Sequence, residues 1–428
     1  MIQKLSILRN SRILTLGLSS FVSGIGNWIT MMAVLAILVF RDSGGVLESS
    51  TIFLAGLLPM LVASPFAGFL ADRFDRKNLM ILSEVLAGLS VIGLIFAENE
   101  ILIYGMLALQ AVFVSLMIPA RQAALPDLVS ESELVQANAF FQQLNGVIKI
   151  VAPMLAGFLL TILTPQQAII LNVVSLGISA VILTRLPSLP PLLKDETLHK
   201  NKIKGVQGNE PAWRKAFREV PSLKLLFVSI FLGITVIMGL DILASVFIRD
   251  VLRETEQYYG TMVGLIGVGT FIATLVLMFR RKQVNPWRDV ILGIFLLAGI
   301  PAMMAITDVW VSNIALAKAL VLAGSMIGGI GNGLMVVQMG TLLQVLAPRE
   351  LLGRLVGLFE ATAVAGQLIS VLLVPVLVPG LISMAVFLGI SSILLIAVDV
   401  YILLKVHSFR ALNEASNTAV AHSLNNVG

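Results

Sequence analysis

Ionisable side chains stand inside otherwise apolar stretches of this sequence, among them Glu84, Lys149, Asp241, Lys318, Glu360 and Asp399. A charge in such a place is costly unless it is paired, neutralised or wetted, so each marks a functional position by default. Lys149 falls about 15 Å into its stretch. Gln142 and Asn145 precede it on the same helical face, so that face must avoid lipid. An amine there can hold an anionic ligand or exchange a proton; a structural lysine bonded to carbonyls is the plainer alternative. Asp241 and Lys318 each lie about 9–10 Å below the end of their stretches. Paired, they would relieve two buried charges, and protonation of Asp241 would break the pair and couple a proton to closure. A purely structural ion pair is the alternative. Glu84, Glu360 and Asp399 fall within about two turns of stretch ends. Glu84 and Glu360 are candidates for proton coupling or for a network with Asp72 of the loop after the second stretch; anchoring is the plainer role for all three, with Asp399 expected to reach interfacial water. Asn27 adds a polar group able to hydrogen-bond a substrate.

The densest charge cluster is GFLADRFDRKN, residues 68–78, where Asp72, Arg73, Asp75, Arg76 and Lys77 follow Gly68 between two apolar runs. Its surroundings are 57% hydrophobic and 12% charged, with a mean hydropathy of +0.97. Soluble domains carry about 25% charged residues, so lipid must be the solvent for much of this chain. The net charge of +5 therefore reads as a topology signal and not as a nucleic-acid footprint. Cysteine is absent, which removes disulfides and thiolate metal sites. The three histidines, His199, His407 and His422, all fall in polar segments, so a proton relay must use carboxylates or lysine. There is no Gly-Lys dipeptide for a Walker A loop and no HExxH cluster, so ATP hydrolysis and metal-dependent enzymology are not expected, nor is any cofactor.

A spanning helix needs about 20 apolar residues, and twelve stretches qualify. They are 13–40, 50–71, 78–97, 101–119, 139–163, 167–186, 223–247, 259–279, 288–307, 311–340, 355–378 and 381–405. Of the 29 lysines and arginines, Arg41, Arg249 and Arg253 fall in one set of loops, and Lys149 and Lys318 inside spans. The others, Arg121 included, fall on the opposite side, which places both termini in the cytoplasm of a plasma-membrane protein. Residues 1–186 and 223–405 each hold six spans. Between them, 187–222 reads as a cytoplasmic linker, with Trp213, Phe217 and Val220 at the spacing of a short interfacial helix. Residues 406–428 are polar and read as disordered. SELVQANAFFQQL (132–144) before span five and RELLGRLVGLFEA (349–361) before span eleven suggest duplication. The fold class is an all-α membrane protein of two pseudo-symmetric six-helix bundles.

The 68–78 cluster, in the loop after span two of twelve, resembles the major facilitator superfamily signature G-x-x-x-D-R/K-x-G-R-R/K. It reads Gly68, Asp72, Arg73, Asp75, Arg76 and Lys77, with Asp75 where the family has glycine. The resemblance implies that Asp72 latches the halves on the inner side, against the positive end of span eleven near Gly353 and Arg354. Gly68 would let helix two approach a neighbour closely. PARQAALPDLV (119–129), ELVQANA (133–139) and QVLAPRELLGR (344–354) resemble the branch of macrolide efflux proteins and siderophore exporters. APMLAG (152–157) is a loosened form of an antiporter element, keeping Pro153 and Gly157. Asn27 stands where related exporters have an acid. The resemblance implies export of a small amphipathic or anionic compound by alternating access, with protons as counter-ion and a site between the halves. Movement of a lysophospholipid on the same fold is the alternative. A monomer is the default for this architecture.

Overall fold

The computed structural model describes residues 9–130, 133–190, 217–218, 220–280, 285–310, 313–348 and 351–425. Side chains at 135, 139, 142, 149, 150, 154, 352–354 and 406–425 lie outside that description. The described residues form α1 (Ser11–Leu35, continued by a π-helical turn Ala36–Arg41), α2 (Val46–Arg73), α3 (Arg76–Ile95) and α4 (Glu100–Val114). Next come α5 (Met117–Leu128), α6 (Leu134–Leu159), α7 (Pro165–Thr184), α8 (Pro221–Asp250) and α9 (Glu256–Phe279). The last are α10 (Pro286–Leu297), α11 (Gly299–Trp310), α12 (Ile314–Leu346), α13 (Leu352–Leu377) and α14 (Met384–Asn425).

The helices start where polar caps say they should. Asn10, Asp75, Asn99, Thr164, Asn285 and Asn313 each place a side-chain oxygen on a backbone N–H of the first turn. Among the described residues, eleven helical segments are long and apolar enough to cross a membrane, taking α4 with α5 and α10 with α11 as single segments. The twelfth is α6, whose apolar run is interrupted by Gln142, Gln143, Asn145 and Lys149.

Two boundaries differ from expectation. Span four does not stop near 119: after a break at Ser115–Leu116 it resumes as α5 to Leu128, and Arg121 is a buried helical residue. It is therefore not a loop base. The helix that contains span twelve runs on to Asn425 beyond the apolar limit at Lys405, through the helix formers Ala411, Leu412, Glu414 and Ala415. Most of the linker, with Trp213, lies outside the described residues; Phe217 packs edge-on against Phe227 at 4.9 Å.

The chain divides into two compact units. The first comprises Met1–Gln207, Asp241–Gly267 and Val371–Pro379. In it α1 lies on α6 and α7, α3 on α4 and α7, and α2 on α4. Its core includes Ile13, Leu16, Met80, Phe141 and Leu183. The second comprises Gly208–Leu240, Val268–Ser370 and Gly380–Gly428. Here α10 packs on α12, and α11 on α12 and α14. Small residues set that contact: a Cβ on Gly331 would lie 2.4 Å from the carbonyl oxygen of Gly293. The IGGIGNG string is thus a packing surface.

Candidate functional site

The charged loop after α2 is anchored by two of its residues. Asp75 caps α3, accepting from the Asn78 N–H at 3.0 Å, and also accepts from Ser188 Oγ at 2.5 Å and the Leu189 N–H at 2.8 Å. The adjacent Arg76 is buried, donates its backbone N–H to the Leu189 carbonyl at 2.9 Å, and pairs through Nη1 with Asp127 on α5. Loop, α5 and the segment after α7 are therefore one tied assembly. This explains the acid at position 75: it is a helix cap and a tether, roles a glycine could not fill. Burial pushes the Asp75 carboxyl up, but hydrogen bonds from Ser188 and from the Asn78, Leu189 and Lys77 backbone outweigh it and hold it below the usual carboxylate range.

A depressed folded-state value stabilises the fold above the unfolded value, and this is lost as pH falls through the folded one. Asp75→Ala should cost about 1 kcal/mol as a lost cap. The gap in melting temperature between variant and parent should be full near neutrality and close below about pH 4. A gap independent of pH would show that the carboxylate's charge plays no part.

Asp72 and Arg73 are exposed at the last turn of α2, with Arg73 stacked over Phe69 at 4.1 Å, and Lys77 is half-buried. Among the described residues, a Cβ at Gly68 would meet no atom within 4 Å, so the expected close helix approach is not present here. The Gly353 and Arg354 side chains lie outside the described residues. The second unit holds an ion pair of its own: Asp289, buried on the first turn of α10, accepts from Arg280 at 2.6 Å and Gln338 Nε2 at 2.7 Å.

Inside the first unit runs a file of buried polar groups. Gln110 Nε2 donates to Asn27 Oδ1 at 2.9 Å, and Asn172 Nδ2 to Thr30 Oγ1 at 2.7 Å. Arg121 Nη1 donates to Ser20 Oγ at 3.1 Å while its guanidinium lies 4.7 Å over the Phe141 ring. Glu84 on α3 is 4% exposed, and on α7, which packs against α3, Ser179 Oγ lies 2.7 Å from Ser19 Oγ of α1. Sequence reasoning missed Gln110 and the buried role of Arg121. An isolated polar residue in an apolar run was the available signal for the first.

At one end of the first unit, residues 36–50 meet Asp241–Gly267 and Val371–Pro379. Arg249 Nη1 donates to the carbonyls of Val39 and Gly44, the latter at 2.5 Å, and its other nitrogens reach the Asp250 carboxylate at 2.6 and 3.0 Å. Ser49 Oγ donates to the Ile242 carbonyl at 2.8 Å and lies 3.4 Å from Ser245 Oγ. Ser50 Oγ donates to the Val371 carbonyl. Arg41 pairs with Glu256 at 3.3 Å, and Phe40 tilts against Tyr259. Gly157 and Gly260 bring α6 and α9 into backbone contact: a Cβ on Gly157 would lie 2.2 Å from the Gly260 oxygen. The antiporter-like Gly157 is thus a helix-crossing residue, and Pro153 is buried one turn before it.

Asp241 is exposed on α8 in the first unit, and Lys318 is half-buried on α12 in the second, so their pairing is not a feature of either unit taken by itself. Glu360 is exposed on α13, and Asn145 is half-buried on α6. The side chains of Gln142 and Lys149 lie outside the described residues. Asp399 does not reach interfacial water. It is 7% exposed, and its Oδ1 has no partner among the described residues, because α14 turns that face onto α10 and α11.

Comparison with known proteins assigns the architecture. The family model described as Major Facilitator Superfamily matches residues 16–370. The MFS-type transporter YfiS of Bacillus subtilis (strain 168) is 28% identical over 280 residues, which is 64% of this chain and 66%, just under two thirds, of that protein. The enterobactin exporter EntS of Salmonella typhimurium is 28% identical over 327 residues, 73% of this chain and 72% of its own length. Among solved structures, the POT family transporter PepTSo superposes with a TM-score of 0.69 at 13% identity, over 94% of this chain and 99% of that one, a likeness of fold alone. With a match across most of its length and the helices to cross a membrane many times, this chain belongs to the Major Facilitator Superfamily.

Proposed function

We propose that the protein exports a small amphipathic or anionic compound, of drug, macrolide or siderophore type, in exchange for protons. The observation that carries the export reading is the similarity to EntS, an enterobactin exporter, across 72% of that protein's length. Exposed Asp241 supports proton coupling, since a carboxylate this far inside an apolar helix must face water or a partner and not lipid. Lys318 and Lys149 are its proposed counterparts in binding an anion or answering the proton. Asn27, held by Gln110, with Gln142 and Asn145, is proposed to contribute substrate hydrogen bonds. The lysine and arginine distribution supports a plasma-membrane protein with both termini cytoplasmic, acting as a monomer. In that frame the Arg249 seam closes the outer side. On the inner side Asp75 and Arg76 fix the loop's base, Asp72 is the latch carboxylate, Arg73 and Lys77 flank it, and Glu360 supports the network. The lipid-moving alternative gains nothing from the relatives named above.

The test is transport by the full chain in proteoliposomes, using a panel of macrolides and catecholate siderophores with and without an imposed pH gradient. At least one compound should move faster with the gradient and slow when a protonophore collapses it. Asp241→Asn should fold normally and lose the gradient-dependent component. Full gradient dependence in that variant removes Asp241 from coupling, and gradient-independent transport of every compound overturns antiport.

A further inference from the structure

Arg121 carries a charge into the interior of the first unit, and no transport step proposed so far uses it. It is 8% exposed and lies on α5, about 10 Å from the helix end at Leu128. Among the described residues, two other arginines escape exposure. Arg76 pairs with Asp127, and Arg249 with Asp250. Arg121 differs, because its partners are neutral. Ser20 Oγ on α1 accepts from its Nη1 at 3.1 Å, and the Phe141 ring on α6 has its centroid 4.7 Å from Cζ. Ser20 and Phe141 are themselves buried.

The carboxylates on the elements around α5 are placed elsewhere. Asp127, on α5 itself, is taken by Arg76. α2 has Glu48 and Asp72 at its ends, α4 has Glu100 at its first residue, and α3 has Glu84. Glu133, before α6, accepts from the Ser130 hydroxyl at 2.8 Å. Among the described residues no acid lies within ion-pair distance of Arg121.

A buried carboxyl or amine can shed its charge to escape the cost of burial; a guanidinium cannot. Its charge must be answered by water or by an anion that comes and goes. Five N–H donors are present and Ser20 accepts from one nitrogen, so most of the fork has no protein partner among the described residues. That free edge is not sealed: among those residues, the enclosed side-chain nitrogens and oxygens without a partner are Arg76 Nε and Asp399 Oδ1. Phe141 covers one face of the guanidinium and Ser20 fixes one corner, so the group is held still with an open edge. Two parallel N–H donors in one plane match the two oxygens of a carboxylate. We propose that Arg121, oriented by Ser20 and Phe141, binds the carboxylate of the transported compound, so that the cargo is an amphipathic organic acid. This rests on the export reading and names the acidic group by which the cargo is held.

Equilibrium binding of 2-naphthoate to the full-length protein in lipid nanodiscs tests it without any gradient. The neutral 2-naphthamide is the matched control, and empty nanodiscs give the lipid background. The parent should bind naphthoate at least about tenfold more tightly than naphthamide, the scale of one charge-assisted hydrogen bond. Arg121→Gln should lose that preference and keep the parent's affinity for naphthamide. Arg121→Lys keeps the charge without the planar fork and should fall between; it also serves if Arg121→Gln fails to fold. A parent without the preference overturns the site, and so does an undiminished preference in either variant. The two proposals fail separately. Gradient-driven export by a protein indifferent to the naphthoate charge sinks this site alone, and an Arg121-dependent preference in a protein that exports no compound sinks the export reading alone.

Discussion

Gly157→Val should be the most damaging single substitution in the first unit. A Cβ at that position would stand 2.2 Å from the Gly260 oxygen, 2.7 Å from its carbonyl carbon and 2.8 Å from its Cα. All three are backbone atoms, so no side chain can rotate away, and α6 and α9 must separate. Overpacking commonly costs about 1–3 kcal/mol, and a clash with backbone belongs at or beyond the top of that range. Because Gly260 lies in the same tract as Arg249 and Glu256, the separation should also loosen the seam between residues 36–50 and 241–267. The chain has no cysteine, so Ser49→Cys with Ser245→Cys supplies a clean reporter: the two hydroxyls are 3.4 Å apart. Oxidative cross-linking in membranes should be efficient in the parent background and fall severalfold with Gly157→Val. Gly260→Val should do the same, as its Cβ would meet the Gly157 oxygen at 2.6 Å. Gly146→Val on the same helix, where a Cβ meets nothing within 4 Å among the described residues, is the control and should cross-link normally. Equal cross-linking in all three would mean that the α6–α9 crossing does not govern the seam.

What could be read from residues alone followed from local chemistry. Long apolar runs dictate spanning helices wherever water is absent, and Asn, Asp and Thr at their edges supply the first-turn caps, so helix positions were close to expectation. The family followed from one loop whose residue types and spacing are rare together. What could not be read depended on partners distant in sequence. Arg121 looks like a loop base until Ser20 on α1 and Phe141 on α6 enclose it. Asp75 looks like a departure from a motif until Ser188 and Leu189 close on it. Asp399 lies near the end of its apolar stretch, where depth alone suggests water, but the direction of its side chain is set by packing against α10 and α11. Depth along a helix follows from counting residues; azimuth does not, because it is decided by which neighbour offers the better fit. Gly157 illustrates the same limit, since its partner glycine lies in another helix and only the crossing shows why neither tolerates a side chain.

Arg249 reads from the sequence as a loop base but lies in the last turn of α8, and replacing it should shift the conformational balance more than any other charge in the seam. The last carbonyls of a helix have no partner within it, and the π-helical turn Ala36–Arg41 ends α1 with such oxygens. Arg249 answers Val39 and Gly44 with one nitrogen and is braced by Asp250 on the opposite edge of its planar fork. Hydrogen bonds from a charged donor contribute about 1.5–3 kcal/mol each, though two from one group do not simply add. Arg249→Ala should therefore weaken the closed seam by at least about 2 kcal/mol, roughly a thirtyfold change in the ratio of closed to open forms. Arg249→Lys keeps the charge but has no planar fork to engage carbonyls and Asp250 together, and should fall between. Arg41→Ala removes a pair whose arginine is 41% exposed, and should change little, because exposed pairs contribute about 0–1 kcal/mol. Spin-label distances across the seam would rank the three, with the widest distribution in Arg249→Ala. If Arg41→Ala widened the seam as much as Arg249→Ala, the closure would rest on surface charge and not on the half-buried guanidinium, and the Val39 and Gly44 carbonyls would lose their place in the cycle.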